Sequence, residues 1–437
     1  MKSAREQVVE IIDRFYNTTL DLKTIQNSYF KQYSTNTLER NRIVVLSKEV
    51  LRWKGRIDLF LKCYLDHSIN RLQSKLLAIL ELATYELIFD DKVPEYAVIN
   101  SAVDLAKRKL NKKTSGLVNA VLRKIGSVDT NTQLKHIKDF EWYSFPNWLF
   151  EKWIKQFGKT RTHQLCDYFN APVPLTIRRN HTKIDHKNFV EKIESDEIQL
   201  SRIDNSDYFY NIKSGGTRLL NNPLFQDGYF SFQDRGAGAI VEVLDPQPND
   251  VILDVCCAPG TKTNYIAELI QNTGKIYASD INKERIGIAQ KDEVRLKNTN
   301  IIWEQKDAIK DTFPMADRIL IDIPCTGTGV IGRRPDIKWR RKPIHLKRIV
   351  DLQKAILNHV YKFVKQGGAL VYATCSLEEE ENWQVVEAFL NLHNDFQVAS
   401  IENHELANLI DEKGALKTFP PENKMDGMFA VKMIREK

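Results

Sequence analysis

From about residue 228 to the C-terminus the chain repeats one pattern: an apolar strand-like run, a turn, and a helix-like run. "DVILDVC", "GKIYASD", "NIIWEQKD", "DRILIDIPC" and "GGALVYATCS" read as strands. "TKTNYIAELI" and "KERIGIAQKDEVRLK" read as helices between the first three. Such alternation predicts a parallel, doubly wound α/β sheet, because each crossover helix returns the chain to the same edge and covers one face. Chemistry in these sheets gathers at the carboxyl ends of the strands. Two of those ends, in "LIDIPCTGTG" (320–329) and "LVYATCSLEE" (370–379), carry a cysteine.

The first 126 residues obey a different period. "AREQVVEIIDRFY", "RLQSKLLAILELATYELIF" and "YAVINSAVDLAKRKL" place apolar residues at three- and four-residue steps, which predicts helices. Pro94 breaks the last two apart. Further on, "PNWLFEKWIKQFG" predicts an amphipathic helix, and "PLTIRRN" and "DYFYNIKSG" predict strands. The expected chain is multidomain: an all-α bundle over 1–126, a linker over 127–145, a small α/β unit over 146–227, and a Rossmann-like α/β domain over 228–437. A length of 437 residues agrees with two or three domains.

Composition removes several classes. No apolar run reaches membrane-spanning length, and "MKSAREQVVE" lacks a signal-peptide core, so a cytoplasmic protein with no membrane partner is expected. The six cysteines form no CxxC pair, so neither a metal site nor a disulfide framework is expected. A net charge of +7 is compatible with nucleic acid without requiring it.

"LDVCCAPGTKT" (253–263) joins the first strand to its helix. It is not GxGxxG, which disfavours a dinucleotide. Asp280 ends the next strand, where an acid suits ribose hydroxyls. Asp307 ends the third and could accept from an adenine amino group. One such acid is most often a solvated turn residue; three successive strand ends with acids suggest a nucleoside bearing no phosphate. S-adenosylmethionine fits.

A free cysteine is commonly a small buried hydrophobe. Two at neighbouring strand ends, beside a methyl donor, suggest more. C5 of cytosine is a poor nucleophile until a thiolate adds to C6. The base must afterwards shed its C5 proton and expel the sulfur. One cysteine would attack and the other assist departure, with Asp322 holding the ring. The acids that follow Cys375 oppose thiolate formation, so a cation such as Lys262 is needed nearby.

"LDVCCAPGTKT", "LIDIPCTGTGVIGRRPDIKW" and "LVYATCSLEEEEN" resemble the successive motifs of the Sun-type RNA cytosine-5 methyltransferases. "VPEYAVINSAVDLAKRKLNKKTSGLVNAVLRKI" resembles a NusB-like RNA-binding domain, and "DGMFAVKMI" is similar to the family's last strand. The resemblance covers almost the whole chain. It implies a class I S-adenosylmethionine-dependent methyltransferase that acts on C5 of a cytosine in 16S rRNA. By position it makes Cys375 the nucleophile and Cys325 the release cysteine, with Asp322 and Lys262 at the reacting centre. Cys256, Cys257, Ala258, Pro259, Gly260, Thr261 and Lys262 would form the donor loop, with Asp280, Arg285, Asp307 and Asp322 as further donor contacts. Cys257 and Thr261 stand where the family usually has Ala and Gly, and "FQDRGAGAI" (232–240) lacks the usual Ala-Ser after Gln-Asp.

"GRRPDIKWRRKP" (332–343) packs cations around a tryptophan, so Arg333, Arg334, Lys338, Trp339, Arg340 and Arg341 are expected RNA contacts. "KRKLNKK" (107–113) is equally well a solvated helix end. Glu380 or Glu381 could order the loop under Cys375. The expected partner is 16S rRNA, with no DNA, and a monomer is expected. Alternatives are 5-methylcytosine transfer to another rRNA site or a tRNA, or a non-catalytic NusB-like factor. A DNA cytosine methyltransferase, which attacks with the other motif's cysteine, would not need "ATCS".

Overall fold

The computed structural model describes residues 2–66, 68–127, 137–195, 197–204 and 206–436. The chain forms two compact units, Met1–Ala171 with Ile331–Lys342, and Pro172–Val330 with Pro343–Lys437.

The first unit is helical. Its main helices are α1 (Ala4–Asn17), α2 (Leu22–Gln32), α3 (Thr37–Tyr64), α4 (Ser74–Phe89), α5 (Glu95–Lys109), α6 (Lys112–Gly126), α7 (Asn147–Phe157) and α8 (Lys159–Asn170). Side chains of Ser3, Asp21, Asn36 and Asn111 cap α1, α2, α3 and α6 by accepting otherwise unpaired amide N–H groups. Helix α4 buries every residue from Leu76 to Thr84, so it forms the centre of the bundle. It carries Glu81 inside, where burial pushes the carboxyl up to about 7, against the pull of Lys54 Nζ at 2.7 Å. Tyr16 donates its hydroxyl to the same group at 2.6 Å.

This two-way split is coarser than the expected linker over 127–145 and middle unit over 146–227. Residues 128–136 of the expected linker lie outside the described residues. The rest is packed: Phe145 is buried, and Gly55 N donates to Ser144 Oγ at 2.7 Å. Helices α7 and α8 bury Leu149, Phe150, Trp153 and Phe169 and stay with the helical unit. Asn170 Nδ2 donates to Tyr143 O at 2.7 Å, and Arg52 donates to Phe169 O.

The second unit contains two sheets. The smaller one has the order β2 (Gln199–Arg202), β3 (Phe209–Ser214), β1 (Leu175–Arg179), β4 (Phe230–Phe232), all antiparallel, with α9 (His186–Ile193) against it. Arg178 of β1 is fully buried, and its Nη2 donates to Glu268 Oε1 at 2.6 Å. Phe209 of β3 joins the apolar cluster of α10 (Arg235–Leu244). The small sheet is therefore continuous with the larger domain's core.

The larger sheet is built from β5 (Val251–Val255), β6 (Lys275–Asp280), β7 (Ile301–Gln305), β8 (Ala316–Asp322), β9 (Val364–Thr374), β10 (Phe396–Val398), β11 (Leu416–Lys417) and β12 (Phe429–Arg435). Its order is β10-β12-β9-β8-β5-β6-β7, with β11 paired to β12. Strands β5 to β9 run parallel, and β12 is antiparallel to β9. Helices α11 (Thr261–Leu269), α12 (Lys283–Leu296), α13 (Pro343–Val360) and α14 (Trp383–Leu390) belong to the same unit. After β5 the chain steps outward to β6 and β7, then returns to the other side at β8. The switch point thus lies between β5 and β8, where open sheets of this type bind ligands. Among the described residues, no helix is long and apolar enough to cross a membrane.

Candidate active site

The register explains why two cysteines distant in sequence meet. Asp322 of β8 pairs with Ala373 of the adjacent parallel strand β9, and Ile323 N donates to Ala373 O at 3.0 Å. Cys325 and Cys375 leave these strand ends side by side, with their Sγ atoms 3.2 Å apart. Gly329 N donates to Cys375 O, and Gly427 N donates to Gly329 O, each at 2.9 Å. A Cβ on Gly329 would strike Gly427 O, so only glycine allows this approach.

Glu381 ties the two cysteine loops to one point, as expected for an acid under Cys375. It is fully buried, and accepts from Thr326 N at 2.7 Å, Ser376 Oγ at 2.5 Å and Gln353 Nε2 at 3.0 Å. Thr326 Oγ1 donates as well. Burial raises its pKa, while these donors oppose that rise. Gln353 also donates to Pro324 O at 3.0 Å. Thr326 and Ser376 lie within the two cysteine motifs and Gln353 outside them, but the sequence assigned none of them a role, because each acts only through the loop it holds.

Lys262, on the first turn of α11, reaches the same centre and donates to Asp322 Oδ2 at 2.7 Å. Burial disfavours its charge, but Asp322 outweighs burial and holds its pKa above the usual lysine value. The hydrogen bond with Cys375, aided by burial, raises the Cys325 pKa well above the usual thiol value. In that contact either sulfur can be the donor.

The donor loop leaves β5 through Cys256, at φ 63°, and turns at Gly260, at φ 89°. A Cβ on Gly260 would lie 2.5 Å from Ala289 Cβ and 2.8 Å from Trp303 Cη2. Cys257 N donates to Ser279 O at 3.0 Å and Ala258 N to Asp280 Oδ2 at 3.2 Å, which anchors the loop to β6. Burial raises the pKa of both the Cys256 and Cys257 thiols, so they are packing groups in this state. Pro259 is exposed and Thr261 half-buried at the turn. Arg285 donates to Ala258 O and lies 3.8 Å from Asp280, which makes it a brace for the loop.

Acids stand at or just beyond the ends of β6, β7 and β8. Asp280 accepts from Ala258 N and Asn282 N, one bond to each oxygen, and each oxygen keeps a lone pair for a ribose hydroxyl. Asp307 accepts from Ile309 N at 3.0 Å and is partly exposed; Asp322 faces Lys262. This donor set fits the nucleoside part of S-adenosylmethionine and offers no phosphate cradle. Sequence reasoning missed Asp254, an acid inside the apolar run "VILDV". It is fully buried, and burial pushes it up to about 7, although Thr263 Oγ1 donates to it at 2.6 Å. An acid interrupting a buried strand was the available signal.

The expected RNA cluster requires correction. The 331–342 segment belongs to the helical unit. Lys338 is 1% exposed, and Nζ donates to Arg52 O and Ser144 O at 2.9 Å and to Asn170 Oδ1 at 3.0 Å. All three of its donors are used, which leaves none for a phosphate. Trp339 Nε1 donates to Leu51 O at 2.6 Å. Arg340 donates to Phe15 O at 2.6 Å, with its guanidinium 3.5 Å from the Phe15 ring centre. Arg334 pairs with Asp21 at 3.2 Å, and Arg333 and Arg341 are half-buried. In the 107–113 run, Lys109 pairs with Glu6 at 2.6 Å.

Comparison with known proteins agrees with this geometry. Residues 241–434 match the family model described as 16S rRNA methyltransferase RsmB/F. Residues 2–127 match the NusB family, and residues 145–209 match a ferredoxin-like domain of RsmF/B-like methyltransferases. A probable ribosomal RNA small subunit methyltransferase B of Synechocystis is 33% identical over 398 residues, 88% of each chain. The protein of the same description from Bacillus subtilis is 29% identical over 452 residues, 99% of each chain. The crystal structure of PH0851 shares the fold at a TM-score of 0.83, with 24% identity, over 100% of this chain and 99% of that one. Identity of one third across nearly nine-tenths of both chains, with the paired cysteines at adjacent strand ends, places this chain in the RsmB/F family of 16S rRNA methyltransferases.

Proposed function

We propose that this chain methylates C5 of a cytosine in small-subunit rRNA, with Cys375 as nucleophile and Cys325 as the group that resolves the adduct. The observation that carries this reading is the pair of Sγ atoms 3.2 Å apart beside the Lys262–Asp322 ion pair, at the switch point of the sheet. The rRNA substrate is supported by the names of the relatives, which are small-subunit methyltransferases.

S-adenosylmethionine, when bound, supplies a methyl group activated by its sulfonium. Asp280 and Asp307 would hold its ribose hydroxyls and adenine amino group. Asp322 accepts from the exocyclic amino group of the target base, and the Lys262 ammonium offsets charge that gathers on N3. Cys375, its proton given up to water, bonds through Sγ to C6, which moves the C5–C6 π pair to C5 and makes C5 nucleophilic. After C5 gains its methyl group, transfer of the C5 proton to water returns the pair to the ring and breaks the C6–S bond. Cys325 holds a proton 3.2 Å from the departing sulfur and can donate to it.

One chain carries every group named, so a monomer suffices. RNA rather than DNA is the expected nucleic acid, and the cytoplasm the expected compartment. Bisulfite sequencing of 16S rRNA incubated with purified protein and S-adenosylmethionine tests the reading. One protected cytosine that requires both components is expected. Protection only in tRNA, or none, would reject rRNA as substrate.

A further inference from the structure

The second unit carries a cleft that the mechanism does not use. It holds ≈ 420 Å³, inside the range of roughly 300–1,000 Å³ typical of small-ligand sites. That is room for one nucleotide and far too little for a duplex. Its walls come from the small antiparallel sheet on one side and from the loops before β12 on the other.

The lining has the character of a base site. Ile203, Leu409 and Met425 offer apolar surface against which a ring can lie; Asn408 offers its amide, and Asn211, whose Oδ1 accepts from Thr176 Oγ1 at 3.2 Å, offers its amide nitrogen. Unpaired bases in RNA are recognised by such edges, and Asn is a natural reader of a base edge. Two of the three cations in the lining are paired with carboxylates. Arg235 pairs with Glu242 at 2.9 Å and lies 3.8 Å from Glu405, and Arg202 pairs with Asp207. With these cations paired and four carboxylates, Asp204, Asp234, Glu405 and Glu422, in the lining, the wall is poor at drawing in a phosphate and suits a neutral base.

Its position ties it to the reaction. Strand β12 begins opposite the end of β9, with Phe429 paired to Thr374, so the loop before β12 borders the active-site edge of the sheet. Met425 lines the cleft. Two residues on, at most about 7.6 Å of chain, Gly427 donates to Gly329, which in turn donates to Cys375.

We propose that the cleft receives an unpaired base of the RNA that is a near neighbour of the target cytosine. The proposal rests on reading the chain as an RNA methyltransferase.

The test uses full-length protein and four 16S rRNA transcripts, each containing one photoactive nucleotide: 4-thiouridine, 6-thioguanosine, 8-azidoadenosine or 5-iodocytidine. After irradiation, adducts are mapped by peptide mass spectrometry, and 5-methylcytosine is measured in the same samples. At least one transcript should give an adduct within 199–214 or 403–425. Asn211→Ala and Asn408→Ala should each remove that adduct and weaken rRNA binding up to about tenfold, the scale of one base-edge contact. Affinity for S-adenosylhomocysteine should be unchanged, which excludes misfolding of the variants. Because Asn408 is exposed, its variant guards against a purely structural loss at Asn211. Adducts elsewhere but none in the cleft, with rRNA bound and methylated, would overturn the cleft alone. A cleft adduct that survives both variants would overturn the base-reading role. Absence of 5-methylcytosine in samples with bound rRNA would reject the catalytic reading separately.

Discussion

Lys262 and Lys338 are both withdrawn from solvent, and they go opposite ways. Lys262 meets a carboxylate, Asp322, at 2.7 Å, and its pKa is held above the ordinary value. Lys338 meets two backbone carbonyls and an amide oxygen, and burial, reinforced by Arg52, pushes its pKa well below the ordinary value. In the sequence both are cations next to a motif. What separates them is the charge of the partner. A buried lysine with a carboxylate keeps a positive charge that chemistry can use, whereas one surrounded by neutral acceptors holds structure together.

The largest effect should come from Lys262. Lys262→Met removes the charge proposed to face the target ring, and loss of one such positioned group typically costs about 10²–10³-fold in kcat. Thermal stability should barely change, because Asp322 is partly exposed and can take up water. Single-turnover methylation and a melting curve on the same preparation check both halves. A loss of Tm as large as that for Lys338→Met would erase the distinction.

Lys338→Met should do the reverse. It strands three buried acceptors, and one unsatisfied buried polar group costs about 1–3 kcal/mol. A net loss of about 2–4 kcal/mol is expected, which lowers Tm by roughly 4–16 °C in a unit of this size. Hydrogen exchange should localise the loss to Thr37–Tyr64, which supplies Arg52 O. The salt dependence of rRNA binding should not change, since a residue that neutralises no phosphate releases no counterion. A shallower salt slope would restore Lys338 as an RNA contact.

The smallest effect is on pH dependence. A lysine whose folded pKa is depressed binds fewer protons folded than unfolded, so it makes stability rise with pH. The rise spans the interval from the depressed value of Lys338 up to the ordinary 10.5, and Lys338→Met should abolish it. Lys262 has the opposite sign: its contribution is complete below 10.5 and is lost as pH climbs through its raised value. Urea unfolding of wild type and both variants from pH 7 to 10 separates the two. Identical pH slopes for wild type and Lys338→Met would contradict the account.

The catalytic sheet was legible because its local signals agree with its global fold. Strand runs, the turn at Gly260 and acids at strand ends all point to one edge. Glu381 was legible as an acid beside Cys375, but not as the clasp of both loops, since Thr326 lies 55 residues away in sequence. The packing of Lys338, Trp339 and Arg340 was not legible because basic residues around an aromatic look alike whether they face RNA or the carbonyls of another element. Only tertiary contacts with Leu51, Arg52 and Phe15 decide that. Where helices α7 and α8 pack was not legible for the same reason: helical periodicity marks them, but does not say which core receives Trp153.

The central claim is the division of labour between the two cysteines, and a denaturing gel tests it most directly. Each variant is incubated with S-adenosylmethionine and a 16S rRNA fragment containing the target cytosine. Cys375→Ala has no attacking thiol and should give no covalent protein–RNA band. Cys325→Ala can still attack and accept methylation at C5, but release should slow by about 10²–10⁴-fold, the usual scale for one acid–base group. A slow-migrating band with Cys325→Ala and none with Cys375→Ala is the predicted result. The reverse pattern, or no band with either variant, would contradict the account.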